Sequence, residues 1–530
     1  MKKIVIRATI LFFCTAVVFC TQKPCRAMTP FFDGKLLVSG FVKESIYYQL
    51  QPWHRSDIPN VDDRIDFLYT SAFIEGLYKI KETEGYNIQL YAGLKWWREA
   101  SELLNDRKYK DMSSYDRYYY NYPRHFEKDV VTEAYLDIDR GPLQVRIGKQ
   151  IVIWGQLDTN RVADVVNPLD LRWGVPGMDA WEEIKKGIWM IRAFYTTQLP
   201  GQLVFEGIFN PGHYVPTYMA YVGTHWGPKA CKARTGFTDN KEMGFWPWVY
   251  GKVYRDAPYF NTDNYEWGFR IQGNTLDINW TLLYWNALQD WGIFDTHGDS
   301  LNNFSMQYVS AGIKAAMTGG HLNPGHWPQY RVFKFKRYQT FGGTAQTYVP
   351  WLHKSTWDLE WFYERGSPFN KGRNGSDREI YDEARRDVLG IAVKYTDRFK
   401  LPDALENLLK TSKNVDTSIT YFWEKIFHDS HDILKADRNH YPGDSTTDGM
   451  SFWAKVEMFG TSLAFVPVGQ YLFRTNRWYA VLPLTYYLPR PYDKFRATIG
   501  VKLYGAKRDN PMGNSWDRRD SIIFRFEYQF

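Results

Sequence analysis

Histidines and carboxylates gather in one stretch of the chain. Between Phe427 and Gly449 stand His428, Asp429, His431, Asp432, Asp437, His440, Asp444 and Asp448. Imidazoles at His428 and His431, three apart and flanked by carboxylates such as Asp432, offer the mixed nitrogen and oxygen donors that a divalent cation takes. Acidic loops in water commonly look the same with no ion bound, so this is a weak metal candidate and no cofactor is expected. Catalysis has less support. HExxH, GxSxG and glycine-rich phosphate-loop patterns are all absent. Gly460-Thr461-Ser462-Leu463-Ala464 has the outline of a nucleophile turn, but it falls where a tight turn between strands is expected. The 11 histidines are scattered along the chain and assemble into no catalytic set. The chain reads as a non-enzyme.

Composition narrows the elements that could position such residues. Aromatic residues make up 18% of the chain, with 22 Trp, 38 Tyr and 34 Phe, too many for a disordered protein. Mean hydropathy is −0.48, and past the N-terminus no apolar run approaches the roughly 18 residues of a spanning helix. The N-terminus has its own logic: Lys2, Lys3 and Arg7, an apolar stretch from Ala8 to Cys20, then small Ala27. Residues 1–27 are expected to be a signal peptide and 28–530 the mature chain. Five basic residues and no acidic one leave with that peptide, so the formal +7 falls to about +2 and no nucleic-acid partner is expected. Cys231 becomes the lone cysteine, which excludes an intrachain disulfide, and no CxxCH haem-attachment motif is present.

Period-two alternation runs through the chain, the mark of strands with two different environments. Ile88, Leu90, Ala92, Leu94 and Trp96 alternate with Asn87, Gln89, Tyr91, Gly93 and Lys95; Trp357, Leu359, Trp361 and Tyr363 alternate with Asp358, Glu360, Phe362 and Glu364. At the C-terminus Ile522, Phe524, Phe526, Tyr528 and Phe530 occupy every second position. A last strand of this kind resembles the assembly signal of bacterial outer-membrane barrels, whose strands show one face to lipid and the other to a polar lumen. An exported β-sandwich is the plainer alternative. Connection lengths favour the barrel. Strands placed at Leu36–Tyr48, Asp66–Ile80, Tyr86–Trp97, Asp129–Asp139, Leu143–Ile153, Gly187–Thr197, Gln202–Phe209, Tyr265–Gly273 and Leu276–Trp285 are joined alternately by short turns and long loops. Further strands fall near Phe333, Leu359, Ile391, Thr417, Phe452, Phe465, Tyr479 and Phe495. The expected fold is all-β: one transmembrane antiparallel barrel of about 18 strands. Eighteen requires Asn302–Met317 to be external loop and Asp403–Leu409 to be a short helix in a turn; 16 strands is the alternative.

One stretch combines apolar and charged residues unlike any strand. Gly148-Lys149-Gln150-Ile151-Val152-Ile153-Trp154-Gly155-Gln156 begins as a strand and breaks at Gly155. A helix-like piece follows and stops at Asn167-Pro168, ahead of Leu169-Asp170-Leu171-Arg172. A strand of the form G-x-Q-x-x-x-W-G leading into an N-P-x-D turn resembles a family of large Gram-negative outer-membrane barrels of unknown function, the DUF1302 type. The motif covers residues 148–172; over the rest of the chain the resemblance is architectural. It implies a channel for poorly characterised compounds, hydrophobic ones included.

Within such a barrel, residues 154–186 are expected to fold inward. Trp154, Val162, Val165, Val166 and Leu169 form an apolar stripe that an exposed loop would leave wet, and burying each gains roughly 1.5–3 kcal/mol. The expected constriction comprises Trp154, Gln156, Asp158, Arg161, Asp164, Asn167, Asp170 and Arg172, with Arg146 and Glu133 on the wall; its charged members should pair with inward wall charges. The inward wall carries Glu133, Asp137, Glu266, Asp358, Glu360 and Glu527 against Lys95, Arg146, Arg270, Lys394 and Arg525. That balance predicts mutual pairing and weak ion selectivity. The expected function is porin-like passage of small molecules. A barrel sheath around a partner such as a periplasmic multihaem cytochrome is the alternative, and an outer-membrane hydrolase ranks last. Expected partners are outer-membrane lipid and lipopolysaccharide, the barrel assembly machinery reading Phe524, Phe526, Tyr528 and Phe530, a small-molecule substrate, and a periplasmic or inner-membrane protein.

Overall fold

Strands that alternate apolar and polar residues bury both faces when they close on themselves, with lipid outside and an aqueous or packed lumen inside. This chain does so. A computed structural model describes residues 28–50, 65–100, 122–123, 126–157, 162–170, 178–179, 181–212, 261–290, 293–294, 333–352, 354–372, 380–411, 414–428, 433, 445–506 and 520–530. Its strands are β1 (Thr29–Phe31), β2 (Leu36–Gln49), β3 (Ile65–Thr83), β4 (Tyr86–Glu99), β5 (Val131–Arg140), β6 (Leu143–Gln150), β7 (Ile188–Thr196), β8 (Val204–Asn210), β9 (Glu266–Thr275), β10 (Ile278–Leu288) and β11 (Ile293–Phe294). They continue as β12 (Phe333–Lys334), β13 (Arg337–Val349), β14 (Ser355–Gly372), β15 (Ile380–Phe399), β16 (Val415–Ile426), β17 (Thr446–Met458), β18 (Leu463–Phe465), β19 (Val468–Leu472), β20 (Arg477–Tyr487), β21 (Phe495–Ala506) and β22 (Ser521–Gln529). Helices are scarce: α1 (Trp181–Ile184), α2 (Asp403–Leu409), and single turns at Phe126–Val130 and Thr262–Asn264. Among the described residues no helix is long and apolar enough to cross a membrane; the strands do that.

Each wall strand pairs antiparallel with its neighbours, and β2 meets β22 from Phe41↔Gln529 to Gln49↔Ser521, closing an 18-strand barrel. β18 and β19 count as one strand. Both pair with β17 and β20, and the break between them falls at Val466-Pro467, where proline has no N–H for the ladder. The count removes the 16-strand alternative. One position shifts: the strand expected near Phe333 is β13, from Arg337. Phe333 instead pairs with Phe294 in a separate two-stranded ladder, which carries β10 and β13 beyond the wall. α2 occupies the turn between β15 and β16 over the residues anticipated for it, whereas Asn302–Met317 lies outside the described residues.

The outer face shows what period two anticipated. Ile74, Leu90, Ile147, Phe269, Leu282, Leu359, Phe452 and Phe526 are all exposed large apolar side chains on the outside of the wall. In the last strand Phe524 and Phe526 point outward, while the Tyr528 ring packs at a tilt against Phe495 with centroids 4.6 Å apart. Phe530 exchanges two backbone hydrogen bonds of 3.0 Å with Gly40 and lays its ring over that glycine. A Cβ on Gly40 would fall 2.6 Å from the Phe530 ring and 2.3 Å from the Phe73 carbonyl, so the seam needs glycine there.

Candidate functional site

The wall opens inward after β6. Gly148 holds φ at +140°, a conformation other residues rarely adopt, and the ladder stops at Gln150↔Ile188. Beyond it, side chains take the N–H groups that a strand would have used. Ile151 N–H donates to Glu133 Oε1 at 2.8 Å and Val152 N–H to Asn167 Oδ1 at 2.6 Å. This corrects two expectations. The strand ends at Gln150 rather than Ile153. The described part of the anticipated helix, Val162–Asn167, is turn and bend, because the Ala163 N–H donates to Glu360 instead of to a helical carbonyl.

Trp154 is 1% exposed and sits edge-on to Trp285 of β10, at 5.9 Å and 85°. Val152, Ala163, Val166, Ile188, Met190, Ile208, Leu283 and Ala287 complete that cluster, with Val165 packed against it. The indole N–H donates to Glu206 of β8 at 3.1 Å, and Glu206 also accepts from Arg192 at 2.6 Å and Arg270 at 2.7 Å. A buried carboxylate between two guanidinium groups keeps its charge compensated. Further on, Glu360 of β14 collects the backbone N–H groups of Gln156, Leu157 (2.8 Å) and Ala163 (3.0 Å), while Val162 packs on a cluster that includes Phe362, Val388 and Ile426. The chain then doubles back. Asn167 donates to the carbonyls of Gln150 (3.0 Å) and Lys186 (2.8 Å), and Asp164 pairs with Lys185 at 2.5 Å.

The return limb meets a different part of the wall. Met178 packs against Tyr47 and Ile523 on one side and Tyr479 and Tyr504 on the other. Asp179 lies 2.8 Å from Arg525 of β22 and 3.7 Å from Lys43 of β2; Glu183 binds Lys43 through both oxygens, at 2.6 and 2.7 Å. Lys95 of β4 donates to the Glu183 carbonyl at 2.9 Å. Between this limb and the wall is a narrow recess of about 50 Å³.

Of the residues expected at a constriction, Trp154, Gln156, Asp164, Asn167 and Asp170 belong to this segment. Asp158, Arg161 and Arg172 lie outside the described residues, as do His431 and Asp432 of the metal candidate; His428 sits in a left-handed turn after β16. Asp164 finds its cation in Lys185 on the segment's own return limb, not on the wall as expected, because the antiparallel bridge Leu169↔Lys185 lays that limb alongside. On the wall, Glu133 accepts the Ile151 N–H, and Arg146 pairs with Asp137 at 2.7 Å over the Tyr135 ring. Lys394 pairs with Asp358 at 3.2 Å, but Arg270, Arg525 and Glu527 find partners outside the expected set, in Glu206, Asp179 and Arg496. Glu206, Lys43 and Arg192 went unrecognised in the sequence. Alternation would have found them, since Glu206 shares a face with Ile208 and Asn210, and Lys43 with Ser45 and Tyr47.

An apolar belt outside, charged and hydrogen-bonded side chains inside, and a closed wall define a transmembrane β-barrel. The chain belongs to a family of proteins of unknown function, DUF1302, whose model matches residues 60–472. No curated protein matches it. Among solved structures it is similar to Pseudomonas aeruginosa OpdK with vanillate (7% identity, 93% of this chain and 98% of that one, TM-score 0.43). It is also similar to Pseudomonas aeruginosa OccK5 (OpdH) (8% identity, 95% and 99%, TM-score 0.46) and Acinetobacter baumannii OccAB4 (10% identity, 95% and 99%, TM-score 0.45).

Proposed function

We propose that the protein is a porin-like channel of the Gram-negative outer membrane, passing small molecules, hydrophobic ones included, through its lumen. The observation that carries this reading is the closed 18-strand wall with charged residues facing in, since barrels of 16–18 strands leave an aqueous channel unless something fills it. Residues 154–186 act as the constriction. Their contacts run from Glu206 and Glu360 to Arg525, so solute passes beside this segment. A sheath for a folded cytochrome would need the same space. Lipid and lipopolysaccharide surround the apolar belt, and the assembly machinery reads Phe524, Phe526, Tyr528 and Phe530 on β22. Liposome swelling with neutral solutes of graded size tests the reading. Swelling that falls off with solute size is expected, and liposomes with correctly folded barrel that do not swell for any solute would overturn it.

A further inference from the structure

The recess beside the return limb takes four of its cations, Lys43, Lys95, Lys149 and Arg525, from the wall, and Asp170, Asp179 and Glu183, with Lys185 and Lys186, from the crossing segment. Its lining holds six cationic and four anionic side chains, and no strand of the wall contributes a carboxylate to it. The wall supplies Lys43 from β2, Lys95 from β4 and Arg525 from β22; Asp179 and Glu183 arrive on the segment that crosses the interior. Lys43 and Arg525 are nearly buried, with side-chain exposures of 6% and 8%. Cations taken out of water need an anion close by, because desolvation is otherwise uncompensated. Here the anion comes from a separate, short piece of chain rather than from the wall itself.

We infer that Lys43 and Arg525, with Lys95 beside them on the Glu183 carbonyl, form a recognition site for small dicarboxylate solutes, the carboxylates of Asp179 and Glu183 occupying Lys43 and Arg525 in this structure in place of a solute. The geometry sets the class of ligand. One ammonium, Lys43 Nζ, reaches an oxygen of each carboxylate, at 3.7 and 2.6 Å, so those oxygens lie no more than about 6 Å apart. A four- or five-carbon dicarboxylate spans that separation. The Arg525 guanidinium, steadied by Ser45 Oγ at 3.1 Å, fixes one end and Lys43 the other, with the Lys95 charge alongside. A solute binds by exchanging its carboxylates for those of Asp179 and Glu183, which makes the two acidic residues internal competitors. This rests on the channel reading and assigns it a substrate class.

The test is succinate binding to the purified full-length barrel in detergent, measured by isothermal titration calorimetry, with neutral succinamide as control. Wild type should bind succinate weakly. Glu183→Gln keeps the side chain but loses the competing charge, and should bind at least tenfold more tightly; Lys95→Gln added to it should return affinity towards wild type. Asp179→Asn serves as the second competitor variant should Glu183→Gln fail to assemble. A folded Glu183→Gln or Asp179→Asn barrel that binds succinate no better than wild type, or succinamide equally well, would overturn the site. Binding in detergent needs no passage. A conducting barrel with unchanged succinate affinity therefore defeats this inference alone, and a barrel that binds succinate as expected yet passes no solute defeats the channel reading alone.

Discussion

Glu360 shows how few side chains hold the inner segment. Its two oxygens accept the backbone N–H groups of Gln156, Leu157 and Ala163, and the residue is fully buried. Glu360→Ala leaves the buried Leu157 and Ala163 donors without an acceptor, at about 1–3 kcal/mol each where water cannot replace it, and frees the more exposed Gln156 N–H. Amide hydrogen exchange at Gln156, Leu157 and Ala163 should rise at least tenfold in that variant, with little change at Trp189 or Ile191 in β7. Equal protection in both proteins would remove Glu360 as the anchor. Asn167 has a similar part, joining Val152, Gln150 and Lys186 through both ends of its amide. Asn167→Leu has nearly the same size but none of these bonds. It should lower the midpoint of thermal unfolding, and an unchanged midpoint would mean that water or neighbouring groups satisfy the exposed partners.

At the scale of elements, barrel closure depends on how β22 seats against β2. The Phe530 ring covers Gly40 and its backbone pairs there, so Gly40→Val forces the ring away by steric contact alone. Both Gly40→Val and deletion of Phe530 should abolish the folded, heat-modifiable band on cold SDS gels. Normal assembly of either would contradict the role given to this seam. The strands were legible because period two marks them residue by residue: Leu36, Tyr86 and Leu143 each open a strand where the pattern placed one. The end of β6 was not legible. Ile151-Val152-Ile153 reads as strand by residue type, and only Glu133 and Asn167, 18 and 15 residues away in sequence, take its N–H groups from the ladder. Phe333 misled for a related reason, since a short aromatic strand looks the same in the wall and in a loop hairpin.

At the scale of the molecule, inner and outer faces divide the work. The outer face is a belt of single apolar side chains that needs only lipid. The inner face pairs charges across strands, as in Arg192–Glu206–Arg270 and Lys394–Asp358, and so stiffens the wall beside the crossing segment. Alternation made the inward charges visible, but their partners depended on which strands the segment touches, and that contact pattern has no signal in local sequence. Because Trp154, Glu360 and Met178 tie the segment to well-separated parts of the wall, its removal should widen the path for solute. The most direct measurement is single-channel recording in planar bilayers, comparing the full chain with a variant shortened between Gln156 and Asp170. Discrete steps for the full chain and clearly larger steps for the shortened one are predicted; silent bilayers from correctly folded barrels, or steps of equal size in the two, would contradict the account.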